Sequence, residues 1–191
     1  MAFVVLYDAC VLYPAPLRDL LIRLANTGIV RGRWSATILD ECFRNILANR
    51  PDLRPDALDR TRELMRQAVP DCMVSGFEDL IEALELPDPD DRHVLAAAIR
   101  AGAQAIVTFN LADFPSEKLA SYNIEAKHPD DFVLDAIDLA PGLVTAVVSQ
   151  QAKALKSPPR SVGELLDTLR DQRLVRSVAK LRELLGAADP I

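Results

Sequence analysis

The stretch Pro87–Pro115, PDPDDRHVLAAAIRAGAQAIVTFNLADFP, decides the reading. Asp88-Pro89-Asp90 is a good helix entry, because Asp accepts from free backbone N–H groups and Pro suits the first turn. RHVLAAAIRAG then reads as a helix stopped by Gly102, AQAIVTF as a buried strand, and NLADFP as the loop beyond it. Three carboxylates (Asp88, Asp90, Asp91) precede the helix, and a fourth, Asp113, follows the strand. One carboxylate at a helix start is ordinary capping. Several beside the ends of buried elements call for something more.

Working outward, AFVVLY (residues 2–7) is a short apolar run rich in β-formers and reads as a buried parallel strand with Asp8 at its carboxyl end. LRDLLIRLANTG carries Leu17, Leu20, Leu21 and Leu24 at helical spacing, and Gly28 is a natural stop. RGRWSATILDECFRNILANRP reads as a basic turn and then a helix. Ser35 or Thr37 can cap it, Ile38, Cys42, Phe43 and Ile46 face the core, and Pro51 ends it. RPDALDRTRELMRQAVP is a more polar helix with Leu58, Leu64, Met65 and Val69 as its apolar positions. DCMVSG permits a short strand and FEDLIEAL a short helix. Beyond the quoted stretch, YNIEAK reads as a strand and PDDFVLDAI opens a helix at Pro129. Strand, helices, strand, helix, strand is an α/β pattern with a parallel sheet. From Leu139 onward the chain reads as helices only, broken at KSPPRS. The expected division is therefore an α/β domain over 1–138 and a helical extension over 139–191.

Composition narrows the function. Of 191 residues, 50% are hydrophobic and 26% charged, as in a soluble globular protein. No apolar run reaches the roughly 18 residues a membrane span needs. The start lacks a basic segment before its apolar run, so it reads as a strand rather than a signal peptide, and the cytoplasm is the expected location. Cys10, Cys42 and Cys72 are scattered and odd in number, with no zinc-type spacing; they read as reduced, mostly buried thiols. The net charge of −6 argues against nonspecific nucleic-acid binding, but it is unevenly placed. From Leu139 onward there are eight Lys/Arg and five Asp/Glu, a charge of +3, which leaves −9 for residues 1–138. Clustered acid in an otherwise ordinary domain suits a cation that lets a phosphate approach.

In open parallel sheets, ligands bind beyond the carboxyl ends of the strands. Asp8 follows the first strand, and Asn110 and Asp113 follow AIVTF. Asp90 and Asp91 begin the helix that leads into that strand, at the same edge. Glu41 lies in the first or second turn of its helix, again near that edge. Four acidic positions from four distant segments can thus converge. Such a cluster is costly without a partner, and hard divalent cations that favour carboxylate and water ligands supply one. A carboxylate-held cation suits phosphodiester hydrolysis.

These residues carry a resemblance. VVLYDACVLYP with Asp8, WSATILDECFRNIL with Glu41, DPDDRHVLAAAIRAG with Asp91, and AIVTFNLADFP with Asn110 and Asp113 resemble, in order and spacing, the PIN domains, and among them the VapC-like ribonuclease toxins of toxin–antitoxin systems. The resemblance covers residues 1 to about 135. It implies a three-layer α/β/α sandwich around a parallel sheet, with a helical C-terminal extension. It further implies an endoribonuclease that uses Mg²⁺ or Mn²⁺ held by Asp8, Glu41, Asp91 and Asp113. A cognate antitoxin and a homodimer are implied as partners. Asp90 neighbours the third acid and could substitute for it. Asn110 stands where many relatives have Asp, and fits a role in orienting a ligand, a water or the substrate. Arg44, one turn beyond Glu41, could hold a carboxylate or an RNA phosphate. Ala9-Cys10 replaces a small polar pair common in relatives.

Other readings compete at several positions. His93 reads as a surface or packing residue rather than a ligand, and Trp34 as core. Arg173, Arg176, Lys180 and Arg182 form either a solvated face or a surface for RNA or a partner. At the level of function, one rival is a PIN fold that binds RNA or protein without cutting. Another is a phosphohydrolase with an aspartyl nucleophile at Asp8, although that chemistry wants a second Asp where Cys10 stands.

Overall fold

A computed structural model describes residues 3–186. Five strands, β1 (Phe3–Tyr7), β2 (Val30–Ser35), β3 (Met73–Val74), β4 (Ala105–Val107) and β5 (Glu125–Lys127), form one sheet in the order β3-β2-β1-β4-β5. Every neighbouring pair is parallel, as expected. The path β1→β2→β3 crosses the sheet in one direction and β3→β4→β5 in the other. Right-handed crossovers then place helices on both faces. Residue 2, expected as the first of β1, lies outside the described residues.

Ten α-helices are described: α1 (Ala9–Leu12), α2 (Ala15–Asn26), α3 (Ala36–Asn49), α4 (Pro55–Ala68), α5 (Arg92–Ala101), α6 (Ser116–Leu119), α7 (Pro129–Leu139), α8 (Pro141–Ala154), α9 (Val162–Asp171) and α10 (Val175–Leu185). Their ends follow sequence chemistry. Ser35 Oγ accepts from Ile38 N at 3.1 Å, so Ser35 and not Thr37 caps α3. Gly102 ends α5 in the left-handed region, where only glycine is unstrained. Pro55, Pro129 and Pro141 each occupy the first turn of a helix.

The structure corrects two expectations. The basic turn expected before α3 is the strand β2. Its inward positions Val30, Gly32 and Trp34 alternate with Arg31 and Arg33, a period of two that the arginines obscured. Trp34, fully buried, stacks on Tyr7 with ring centroids 6.3 Å apart, and Phe132 meets Tyr7 edge-on at 6.0 Å. Gly32 is needed there, because a Cβ would lie 2.7 Å from Tyr7 Cε2 and 3.0 Å from Ala25 Cβ. Second, Leu64 is 54% exposed, while Leu58, Met65 and Val69 are buried. It lies one residue, about 100° of helix, away from the Met65 face. The short helix expected in FEDLIEAL is present as a 3₁₀ helix, Glu78–Ala83, with no buried residue.

The C-terminal helices are tied in firmly. The buried Asp130, at the start of α7, accepts from Arg176 N at 2.9 Å, from Ser177 N at 2.8 Å and from Ser177 Oγ. Asp130 thus caps α10 from another helix. Gln151 on α8 donates to Pro16 O at 2.8 Å. Leu165, Leu166, Leu169, Leu174, Val178 and Leu181 join the same contiguous core as Val5 and Leu6. Among the described residues, no single helix is long and apolar enough to cross a membrane.

Candidate active site

The strand order reverses between β1 and β4, and such a reversal opens a crevice beyond the carboxyl ends of the strands. Asp8 N donates to Val107 O at 3.1 Å and holds the two strand ends together. The Asp8 side chain is buried at these strand ends, 4% exposed. Its Oδ1 accepts from Ala9 N at 2.7 Å; its Oδ2 accepts from Thr108 Oγ1 at 2.7 Å and from Cys10 Sγ at 3.2 Å. Burial pushes this carboxyl above its ordinary range, and the three donors oppose that push. Thr108 Oγ1 also accepts from Asn110 N at 3.0 Å, so one buried hydroxyl positions both Asp8 and the loop after β4.

At this edge of the sheet lies an open cleft of about 620 Å³, which Asp8 itself does not line. One wall is α3, with Thr37, Asp40, Glu41 and Arg44. The opposite wall is the turn into α5, with Asp88, Asp90, Asp91 and His93, and the loop after β4 adds Asn110 and Asp113. Asp88 performs the expected capping, its Oδ1 accepting from Asp90 N at 2.9 Å. Asp90 is exposed, whereas Asp91 is half-buried.

The electrostatics show how closely the acids are grouped. The Asp91 carboxyl is pushed up to about 7, first by burial and then by the negative charges of Asp8, Asp113, Asp88 and Glu41. Asp8 feels Glu41 as well. Asp91 therefore lies within reach of the fields of Asp8, Glu41 and Asp113, and Asn110, Asp90 and Arg44 line the cleft with it. Among the described residues, no three His, Cys, Asp or Glu side chains are drawn together as a ready-made ion cage. In chemistry, the set fits a hard divalent cation. All four candidate ligands are carboxylates, and the repulsion that adds to burial in lifting Asp91 is what a bound cation would relieve.

The sequence reading missed three neighbours of this site. His93 is in the cleft rather than on an outer surface or in packing: its Nε2 lies 3.4 Å from Glu41 Oε2, and its buried Nδ1 has no partner. Its place two residues after Asp91, at the start of α5, was the available signal. Cys10 and Thr108 were missed as partners of Asp8. Cys10 stands where a polar residue was wanted, and its thiol donates in that place.

Comparison with known proteins agrees with this geometry. Residues 4–112 match the family model of the PIN domain, and residues 129–183 match that of the VapC50 C-terminal domain. The second match begins inside the segment expected to close the first domain at residue 138. A protein of Mycobacterium tuberculosis (strain ATCC 25618 / H37Rv), named "Putative ribonuclease VapC50", is 44% identical over 115 residues, which are 60% of this chain and 67% of that protein. No solved structure is a significant match.

Proposed function

The chain belongs to the PIN-domain family, and from that premise we propose that it is the ribonuclease toxin of a toxin–antitoxin pair, hydrolysing RNA phosphodiester bonds in the cytoplasm with Mg²⁺ or Mn²⁺. One observation supports the reading: Glu41, Asp91 and Asp113 line a single cleft, and Asp91, lifted first by burial and then by the charges of these acids and of the nearby Asp8, reaches about 7. A surface with no cation to bind gains nothing from that repulsion.

Asp8, Glu41, Asp91 and Asp113 would hold the cation, which when bound supplies Lewis acidity and charge neutralisation at a phosphodiester. The protein's own groups do the rest. Asp8 is fixed by donors on both oxygens, so it offers its carboxylate in one orientation. Asp91 carries a proton for much of the time near neutral pH and releases it when positive charge arrives. Arg44 lies on the α3 wall, where its guanidinium can pair with a phosphate oxygen. The Asn110 amide, at the mouth, can donate to substrate or water. A cognate antitoxin that presented a basic side chain to these carboxylates would block the cleft. A homodimer is proposed on family grounds.

The test is RNA cleavage by the purified chain with Mn²⁺. Cleavage is expected, and EDTA or Asp113→Asn should abolish it. Expression in a bacterial host should arrest growth, and Asp91→Asn should relieve the arrest. Intact RNA from a folded, metal-supplied protein, with a host that grows normally, would refute the assignment.

A further inference from the structure

We propose that Phe109, His128 and Arg173 form a platform on which single-stranded RNA stacks beside the acidic cleft, the C-terminal helices supplying its cation. The proposal deepens the ribonuclease reading and rests on it for the identity of the ligand.

All three residues stand at the edge of the sheet that carries the cleft. Phe109 directly follows Thr108 and precedes Asn110, a cleft residue. Its amide donates to Cys10 Sγ at 3.2 Å, which ties it to the Asp8 network. His128 directly follows β5, whose end is joined to β4 by Thr108 N donating to Lys127 O at 3.0 Å. The His128 ring meets Phe109 edge-on, with centroids 5.3 Å apart. Its Nδ1 accepts from Asp130 N at 3.1 Å, which sets the ring's orientation. Arg173 comes from the turn between α9 and α10 and places its guanidinium carbon 5.0 Å from the Phe109 ring centroid.

A simpler role for Arg173 would be to fasten the extension to Phe109. Two observations weigh against fastening alone. Arg173 has φ +72°, and Leu174 N donates back to Leu169 O, so Arg173 occupies the left-handed position that closes a helix. At the matching ends of α5 and α10 the chain uses Gly102 and Gly186, with φ +61° and +63°. An arginine in this position is strained. Charge is the second observation. Arg170, Arg176, Lys180 and Arg182 each face a carboxylate, whereas Arg173 has no ion-pair partner among the described residues. An exposed, uncompensated guanidinium stacked on an aromatic ring, next to an acidic cleft, offers RNA a phosphate contact where the cleft itself repels. Phe109 packs against the core and carries Arg173 on its ring, so it fixes the exposed guanidinium plane, which with the half-buried His128 ring offers the surface for a base.

The decisive variant is Arg173→Gly, which removes the cation and relieves the backbone. RNA binding is read by anisotropy of a fluorescein-labelled, unstructured single-stranded RNA in EDTA, and cleavage by steady-state kinetics in Mn²⁺. Arg173→Gly should weaken binding and raise KM about tenfold, lower kcat much less, reduce the salt slope by about one, and leave the melting temperature equal or higher. Phe109→Leu should weaken binding similarly, and Arg170→Ala, on the outer face of α9, should bind as the parent does. Unchanged RNA affinity and KM in Arg173→Gly would overturn the platform, as would a loss that follows a lowered melting temperature. Cleavage by the parent with no effect of Arg173→Gly sinks the platform and leaves the ribonuclease reading standing. Binding without cleavage, weakened by Arg173→Gly, does the reverse. A parent that neither binds nor cleaves RNA overturns both.

Discussion

Asp91 shows at the level of one side chain what the proposed site costs in stability. Its folded-state pKa of about 7 lies above the ordinary 3.8, so the folded protein binds its proton more tightly than the unfolded chain does. The stabilisation from that proton is complete below about 4 and is lost as pH rises through about 7. Asp8, also raised, acts in the same direction. Metal-free protein should therefore melt at a higher temperature at pH 5 than at pH 8, and Mn²⁺ should narrow the gap. Asp91→Asn should flatten the pH dependence and stabilise the metal-free protein by about 1–2 kcal/mol at pH 8, after discounting for a half-exposed site, while removing cleavage. A variant less stable than the parent at pH 8 would contradict this account of Asp91. The acids were legible in the sequence because strand and helix ends locate them. Thr108 was not, because its bond to Asp8 joins residues 100 apart and nothing local announces it.

At the scale of elements, β2 was the unread strand. Its arginines disguised an alternation that Val30, Gly32 and Trp34 carry on the inward side. The glycine is a packing requirement, so Gly32→Ala should cost about 1–3 kcal/mol by overpacking against Tyr7 and Ala25, measured by urea unfolding. Wild-type stability in that variant would mean the sheet yields more readily than its packing implies. The cap that Asp130 places on α10 was equally invisible, because donor and acceptor lie 47 residues apart. Asp130→Ala strands the Arg176 and Ser177 amides and the Ser177 hydroxyl, at a cost of about 2–4 kcal/mol. Helices α2, α3, α4 and α5, by contrast, were legible from periodicity and from their Ser, Pro and Gly ends, which local chemistry decides.

For the whole molecule, the contiguous core predicts that the helices beyond residue 139 and the sheet unfold together. Trp34, the sole tryptophan, reports on the sheet, while far-UV dichroism is dominated by the helices. The two signals should give one coincident thermal transition. Separate midpoints would make the extension an independent unit. The charge balance of the sequence, acidic before Leu139 and basic after it, has a structural expression here: Arg173 reaches from the extension to the rim of the acidic edge. The account turns on whether the gathered carboxylates bind a cation that cutting requires. The most direct measurement is calorimetric titration of Mn²⁺ into the parent and Asp8→Asn proteins, with RNA cleavage followed on the same samples. The account predicts one site in the parent, proton release near pH 7, and loss of both binding and cleavage in Asp8→Asn. Mn²⁺ binding and cleavage that survive Asp8→Asn, or a parent that cuts RNA in EDTA, would contradict it.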